Sequence, residues 1–334
     1  DYCSGTNEVV YIYPDVKKQV LDFYKQNPAQ ARAQFGDDPF DVKNVMKYWV
    51  RSKDPDMRII PSDTLYVKID KEAVKKSGML MASDTIPDKM VISLAGKRML
   101  DKKQLMMLEM IAQSNWTRPL YVATTVGADN YMNLGDNFVQ EGLAYRITPF
   151  TTKNPGVKSF DTEKAYNNLM YRYKWGGLEK PGLYLDETVM RMCYTHRHLF
   201  AMLALELINE GKKDKAIKVL DKSLKVIPEY NVPMTFMSGA SELARAYALA
   251  GQKAKAAKLL NAVWKNEEQY ALWYLSLEGT RFTQAQNDFL RQTIMMQSTA
   301  ELTSLVDEKL ASKRMQRLNA LYTAYRNKGG AELN

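Results

Sequence analysis

The stretch "CYTHRH" at 193–198 holds one of the two cysteines of the 334-residue chain and both of its histidines. A thiolate beside an imidazole suits zinc ligation or nucleophilic catalysis. Helical spacing decides between such chemistry and packing. Asp186 stands where it can cap a helix through "ETVMRMCYTHRHLFAMLALELINEG", in which Val189, Cys193, His196, Phe200, Leu203 and Leu207 recur at steps of four and three. His198 lies off that stripe, because residues two apart on a helix do not share a face. Cys193 and His196 supply two of the four ligands of a structural zinc, and no second Cys or His pair completes the set. The expectation is a packed cysteine and a hydrogen-bonded histidine, with no metal and no cofactor. A Cys-His nucleophile fails on the same ground, since a reactive thiol must be partly exposed beside a base.

Other residues could recognise or cleave a ligand. Asp129, Asp136, Glu141 and Asp161 are carboxylates that would suit glycoside hydrolysis if two of them faced each other across a cleft, a placement that spacing alone does not give. "NWTRP" (115–119), "EGLAYR" (141–146) and "YKWGG" (173–177) contribute Trp116, Arg118, Glu141, Tyr145, Arg146 and Trp175. This aromatic and charged mixture fits a recognition surface or a buried domain junction. The junction is favoured, because large amphipathic side chains pack their bodies while satisfying a polar tip.

The elements that position these groups fall into two textures. "VVYIYP" (9–14) and "TLYVKI" (64–69) read as strands, and "PDVKKQVLDFYKQN" (14–27) as a helix with Val16, Val20, Phe23 and Tyr24 on one face. From 90 to 126 the pattern is strand, helix, strand. Asp101 and Gln104 have capping-box spacing, Leu105, Leu108 and Ile111 or Ala112 follow on one face, and a right-handed parallel crossover is expected. The turn "AGKRMLD" (95–101) has one glycine and no phosphate-cradling pattern, which argues against a dinucleotide site. "NFVQEGLAYRI" (137–147) is a strand or a short helix, and "DTEKAYNNLMYRYKWGG" (161–177) a helix stopped by two glycines. The expected fold is α+β: an α/β domain over 1–185, then an all-α domain over 186–334.

An internal repeat marks the second half. "GKKDKAIKVL" (211–220) and "GQKAKAAKLL" (251–260) align without a gap at an offset of 40 residues. Ala204, Leu207, Gly211, Ala216, Leu220 and Pro228 fall on the tetratricopeptide pattern, and Ala244, Tyr247, Gly251, Ala256 and Leu260 repeat most of it. The repeats are placed near 197–228 and 237–268. Extra residues in "EYNVPMTFMSG" (229–239) account for the long offset. Two repeats need capping helices, and Thr283 with Gln286, and Ser298 with Glu301, read as two such helix starts. Phe289, Ile294, Leu302, Leu305, Leu318 and Leu321 would be their apolar positions, with "NKGG" (327–330) ending the last helix.

Composition narrows the function class. With 46% hydrophobic and 25% charged residues the chain is of globular type. Its net charge of +9 comes mostly from lysines spread over helical faces, with no recognised nucleic-acid module, so no nucleic-acid partner is expected. The longest strongly apolar run, "LFAMLALELI" (199–208), is too short to cross a bilayer. A start at "DYCSGTNEVV", with no leader pattern, reads as an excised or mature form. Cys3 and Cys193 could pair in an oxidising compartment, but two distant cysteines make no disulfide framework.

"LMMLEMIAQSNWTRPLYVATTVG", "QEGLAYRITP", "DTEKAYNNLMYRYKWGG" and "YLDETVMRM", followed by the helical repeats, together resemble the soluble C-terminal region of a family of large Bacteroidetes inner-membrane proteins. That region is a domain of unknown function in proteins related to protein O-mannosyltransferases, and the resemblance covers most of 90–265. It implies a periplasmic appendage, tethered to the inner membrane by a membrane region of the same polypeptide that carries the transferase chemistry and uses a lipid-linked sugar. Such an appendage would bind acceptor protein, glycan or a partner without catalysing transfer, and no catalytic residue carries over. The repeats alone allow a free-standing periplasmic scaffold instead.

Overall fold

Among the described residues, short β-branched and aromatic runs, too brief for a large sheet, build three small sheets in the first half of the chain. The computed structural model describes residues 9–79, 85–153 and 157–331. Contacts divide it into one unit ending at Asp161 and another beginning at Thr162. In the first unit β1 (Val10–Ile12) leads to α1 (Val16–Gln26) and α2 (Pro28–Phe35), then to α3 (Val42–Asn44), which runs on as a π-helical stretch over Val45–Val50. After β2 (Ile59–Ile60) and β3 (Thr64–Lys68) come α4 (Lys71–Lys76), β4 (Lys89–Ser93), β5 (Met99–Leu100) and α5 (Lys102–Gln113). The unit ends with β6 (Tyr121–Ala123), β7 (Phe138–Gln140) and β8 (Ala144–Ile147).

The capping box at the start of α5 forms in both directions, Gln104 N to Asp101 Oδ1 and Asp101 N to Gln104 Oε1, each 3.0 Å. Leu105, Leu108, Ile111 and Ala112 are buried in one core with Leu65, Ile92 and Leu100. The expected parallel crossover does not form. β4 pairs antiparallel with β3, whereas β6 pairs antiparallel with β8, so the two flanking strands lie in different sheets. The cause is β5, inserted between β4 and α5 after a turn at Gly96 (φ 80°) and paired with β1. The α/β expectation for this half therefore gives way to α+β: among the described strands β1 and β2 alone form a parallel ladder, with isolated parallel bridges at Asp41–Tyr66 and Gln140–Phe160, and every other ladder is antiparallel. The ambiguous segment at 137–147 is two strands, turned at Gly142 (φ 130°).

The second unit is helical. It begins with α6 (Thr162–Asn167), continued by a π-helical stretch over Asn168–Arg172, and proceeds through α7 (Glu187–Asn209), α8 (Lys213–Val226), α9 (Ala240–Leu249), α10 (Lys253–Ser276), α11 (Gly279–Thr303) and α12 (Glu308–Asn327). The division thus falls at 161/162 and not at 185, because the intervening segment is fastened to the helices after it. Thr162 Oγ1 donates to Glu210 Oε2 (3.0 Å), Lys212 and Lys215 both hold Glu163, and Asn231 donates to the carbonyls of Leu178 and Lys180. Asp186 caps α7 by accepting from Val189 N at 2.8 Å.

The 40-residue repeat has matching backbone geometry. Gly211 (φ 77°) and Gly251 (φ 84°) turn the chain, Lys212 N and Gln252 N donate to Leu207 O and Tyr247 O at 2.8 Å, and Ala216 N and Ala256 N to Lys212 O and Gln252 O at 3.1 Å. Ala204, Ala216, Ala244 and Ala256 are all fully buried where helices meet. The two expected capping boxes are not helix starts: Thr283 and Ser298 both lie within α11, where Thr283 bonds back to Gly279 O. Helix periodicity continues through both sites, so capping spacing alone is outvoted, and α12 is capped by Asp307. Ile294 and Leu305 are exposed rather than core. Cys3, and with it any pairing to Cys193, lies outside the described residues.

Candidate functional site

The six residues singled out from the sequence divide between the units. Trp116 is 3% exposed in the core of the first unit, and its indole N–H donates to Lys68 O at 3.1 Å. Arg146 and Glu141 form a buried ion pair at 3.5 Å; Tyr121 donates to Glu141 at 2.8 Å and Arg146 to Ser77 O at 2.9 Å. Burial, then this bond to Glu141, pushes the Tyr121 hydroxyl up to about 12. Tyr145 is half-buried and stacked on Phe138, and Arg118 is exposed. Trp175 belongs to the second unit, with its ring against Phe200 (5.0 Å) and His196 (5.6 Å) on α7. Trp116, Glu141 and Arg146 are thus interior groups of one unit. Trp116→Ala is expected to cost about 3 kcal/mol of unfolding free energy and Trp175→Ala about 2 kcal/mol, read by urea denaturation. Unchanged melting with altered ligand binding would instead make either one a contact residue.

The Cys-His stretch is a packing motif. Cys193 is buried, and desolvation pushes its thiol up, against a smaller opposing pull from Arg197. Burial holds His196 below the usual imidazole range, and its Nδ1 has no partner. His198 sits on another face, its Nδ1 3.8 Å from Glu242 Oε1. Among the described residues no group of three or more His, Cys, Asp and Glu side chains is placed to hold a metal ion. The residue between the histidines is the one the sequence reading passed over: Arg197 is fully buried and donates to the carbonyls of Ile227, Val232, Pro233 and Ser238. Its position four after Cys193 and three before Phe200 was the available signal.

Polar groups converge elsewhere in the first unit. A cleft of about 540 Å³ is lined by Asp37, Asp41, Lys43, Asn44, Tyr48, Lys68, Asp70 and Asn115, together with Gly36 and the end of β3. Two of its carboxylates are positioned as helix caps: Asp41 accepts from Lys43 N (2.9 Å) and Asp70 from Ala73 N (3.0 Å). Lys43 Nζ donates to Asn115 Oδ1, which spans the cleft from α3 to the turn after α5. That turn holds Asn115 (φ 47°) and Trp116 (φ 60°) in consecutive left-handed conformations, sustained by the buried Trp116 ring. Gly36 (φ 82°) lets the opposite wall close on Asn44, whose amide would lie 2.6 Å from an added Cβ. Three carboxylates, two lysines, two amides and a half-exposed tyrosine ring line the cleft, so hydrogen-bond acceptors and donors stand side by side. None of Asp129, Asp136, Glu141 and Asp161 lines this cleft. Asp136 pairs with Lys153 and Glu141 with Arg146.

Residues 1–165 match the protein family described as TMEM260-associated domain 2, a family linked to TMEM260. This match covers the α+β unit and the start of α6. Comparison with curated proteins and with solved structures gives no match in either. Among the described residues no helix is long and apolar enough to cross a membrane.

Proposed function

We propose that the chain is the non-catalytic, extracytoplasmic recognition portion of a membrane glycosyltransferase of the protein O-mannosyltransferase type. It binds acceptor protein, glycan or a partner and presents it to a membrane region of the same polypeptide. The observation that carries this reading is the match of the α+β unit to TMEM260-associated domain 2. The polar cleft between Asp41, Asp70 and Asn115 supports it chemically, and the helical repeats, read as tetratricopeptide-like, supply a second surface. Periplasmic placement with an inner-membrane tether, in a Bacteroidetes protein, completes the proposal. A free-standing scaffold would explain the repeats but not the domain match.

The test uses the isolated chain and mannose oligosaccharides in a calorimeter. Binding is expected, weakened about tenfold by Asn115→Ala, which removes an amide, or by Asp41→Asn, which keeps the helix-capping oxygen but removes the charge and one acceptor. No glycosyl transfer from a lipid-linked donor is expected. Transfer by the isolated chain would overturn the non-catalytic reading, and oligosaccharide binding indifferent to both substitutions would remove the cleft from it.

A further inference from the structure

A second concave site lies wholly within the helical unit. The groove between α9 and α11 encloses about 460 Å³ and is lined by Phe236, Ser241, Glu242, Arg245, Ser298, Glu301, Leu302 and Leu305. Ser241 is 2% exposed, and its hydroxyl has no hydrogen-bond partner. Glu242 Oε2 also has no partner, although the side chain as a whole is 39% exposed and its other oxygen lies 3.8 Å from His198 Nδ1. Buried polar atoms left unmatched are uncommon in folded proteins, and two adjacent ones at the wall of a groove mark where an incoming group would complete the bonding. Leu305 and the neighbouring Met237 are exposed apolar groups beside them.

Charge selects the occupant. The chain carries a net +9, yet this groove presents two carboxylates, Glu242 and Glu301, against one guanidinium, Arg245. Gln297 donates to Glu301 Oε1 and orients that carboxylate without neutralising it. The spot is therefore locally acidic on a basic molecule. A lysine or arginine side chain satisfies the carboxylates, Arg245 and the two serines match main-chain carbonyls and amides, and Phe236, Leu302 and Leu305 take an adjacent apolar side chain. We infer that the α9–α11 groove is a binding site for an extended polypeptide segment that alternates basic and apolar residues. The inference rests on the groove alone and stands whether or not the chain serves a glycosyltransferase.

The experiment measures fluorescence anisotropy of two labelled twelve-residue peptides, one alternating leucine and lysine, the other leucine and glutamate, added to the full chain. Bulk electrostatics of a +9 protein favours the glutamate peptide. The groove favours the lysine peptide. Preferential binding of the lysine peptide is expected, weakened at least about tenfold by the double substitution Glu242→Gln and Glu301→Gln. The Glu242 side chain is 39% exposed and Glu301 is exposed, and glutamine keeps their shape, so the double variant should melt as the parent does; Ser241→Ala, which deletes only the buried hydroxyl, gives a second, milder readout of several-fold weakening. Preference for the glutamate peptide, or lysine-peptide affinity unchanged in the double variant, overturns the inference.

Discussion

Replacing Arg197 by alanine is expected to lower the unfolding free energy of the second unit by about 5 kcal/mol, at the upper end for a single buried polar group. The guanidinium is fully buried on α7, and its four acceptors, Ile227 O (3.1 Å), Val232 O (2.8 Å), Pro233 O (3.1 Å) and Ser238 O (3.3 Å), all belong to the connection between α8 and α9. This connection is the insertion that stretches the repeat to 40 residues, and its own apolar groups Val232 and Met234 are buried. One cation thus ties together a long loop whose own hydrogen bonds are confined to the turn after Pro228 and the short 3-10 helix at Phe236–Ser238. Burial lowers the Arg197 pKa to about 10, which still leaves it charged at neutral pH. Lysine should recover little, because an ammonium is a point donor and cannot reproduce the planar fork. Urea denaturation followed by circular dichroism measures the loss. A change below about 1 kcal/mol in Arg197→Ala would show that the loop is held by its apolar contacts instead. Gly239 offers a check on the same packing: at φ 80° an added Cβ would lie 3.0 Å from His198 N, so Gly239→Ala should also destabilise the loop.

What could be read in the sequence follows from the range of the forces involved. The Asp101–Gln104 box, the Asp186 cap and the 40-residue repeat depend on residues within a few turns of each other, and each appears in the structure at the expected positions. The partner of a strand does not. Nothing in "MVISLA" or "RPLYVATTV" says that β4 joins β3 while β6 joins β8, and the two-residue β5 is too short to leave a periodicity. The Thr283 and Ser298 motifs failed for a related reason, since a cap competes with helix continuation and packing along α11 favours continuation. The polar cleft was hidden because its walls come from α3, α4 and the turn after α5, which are far apart along the chain. Asp41 and Asp70 were visible as caps in principle. Their convergence on Asn115 was not. Trp116 was singled out for its size and lies beside the cleft as the ring that holds Asn115 in its left-handed turn.

Stability of the helical unit is expected to fall as pH rises from about 4.5 to about 8, through Glu267 on α10. This carboxyl is 1% exposed; Oε1 accepts from Thr299 (2.8 Å), and Oε2 has no partner. Burial pushes it up to about 8, while the Thr299 bond and the Arg314 charge pull the other way without prevailing. Arg314 is itself committed, to Thr303 Oγ1, to Asn261 Oδ1 (2.6 Å) and to the face of Trp264. Below about 4.5 the group is protonated in both folded and unfolded chains, and its stabilisation is fully present. Between about 4.5 and 8 only the folded chain keeps the proton, so each unit of pH removes up to about 1.4 kcal/mol. Above about 8 the contribution is lost, leaving an ionised carboxylate in a dry helix interface. Glu267→Gln keeps the shape and the acceptor for Thr299 but cannot ionise. Urea midpoints measured at intervals from pH 4.5 to 9 should therefore converge for the two proteins at low pH and separate toward pH 8, with the glutamine variant the more stable. Parallel profiles across that range would mean that Arg314 neutralises the carboxylate in the folded state and that the burial cost is already offset.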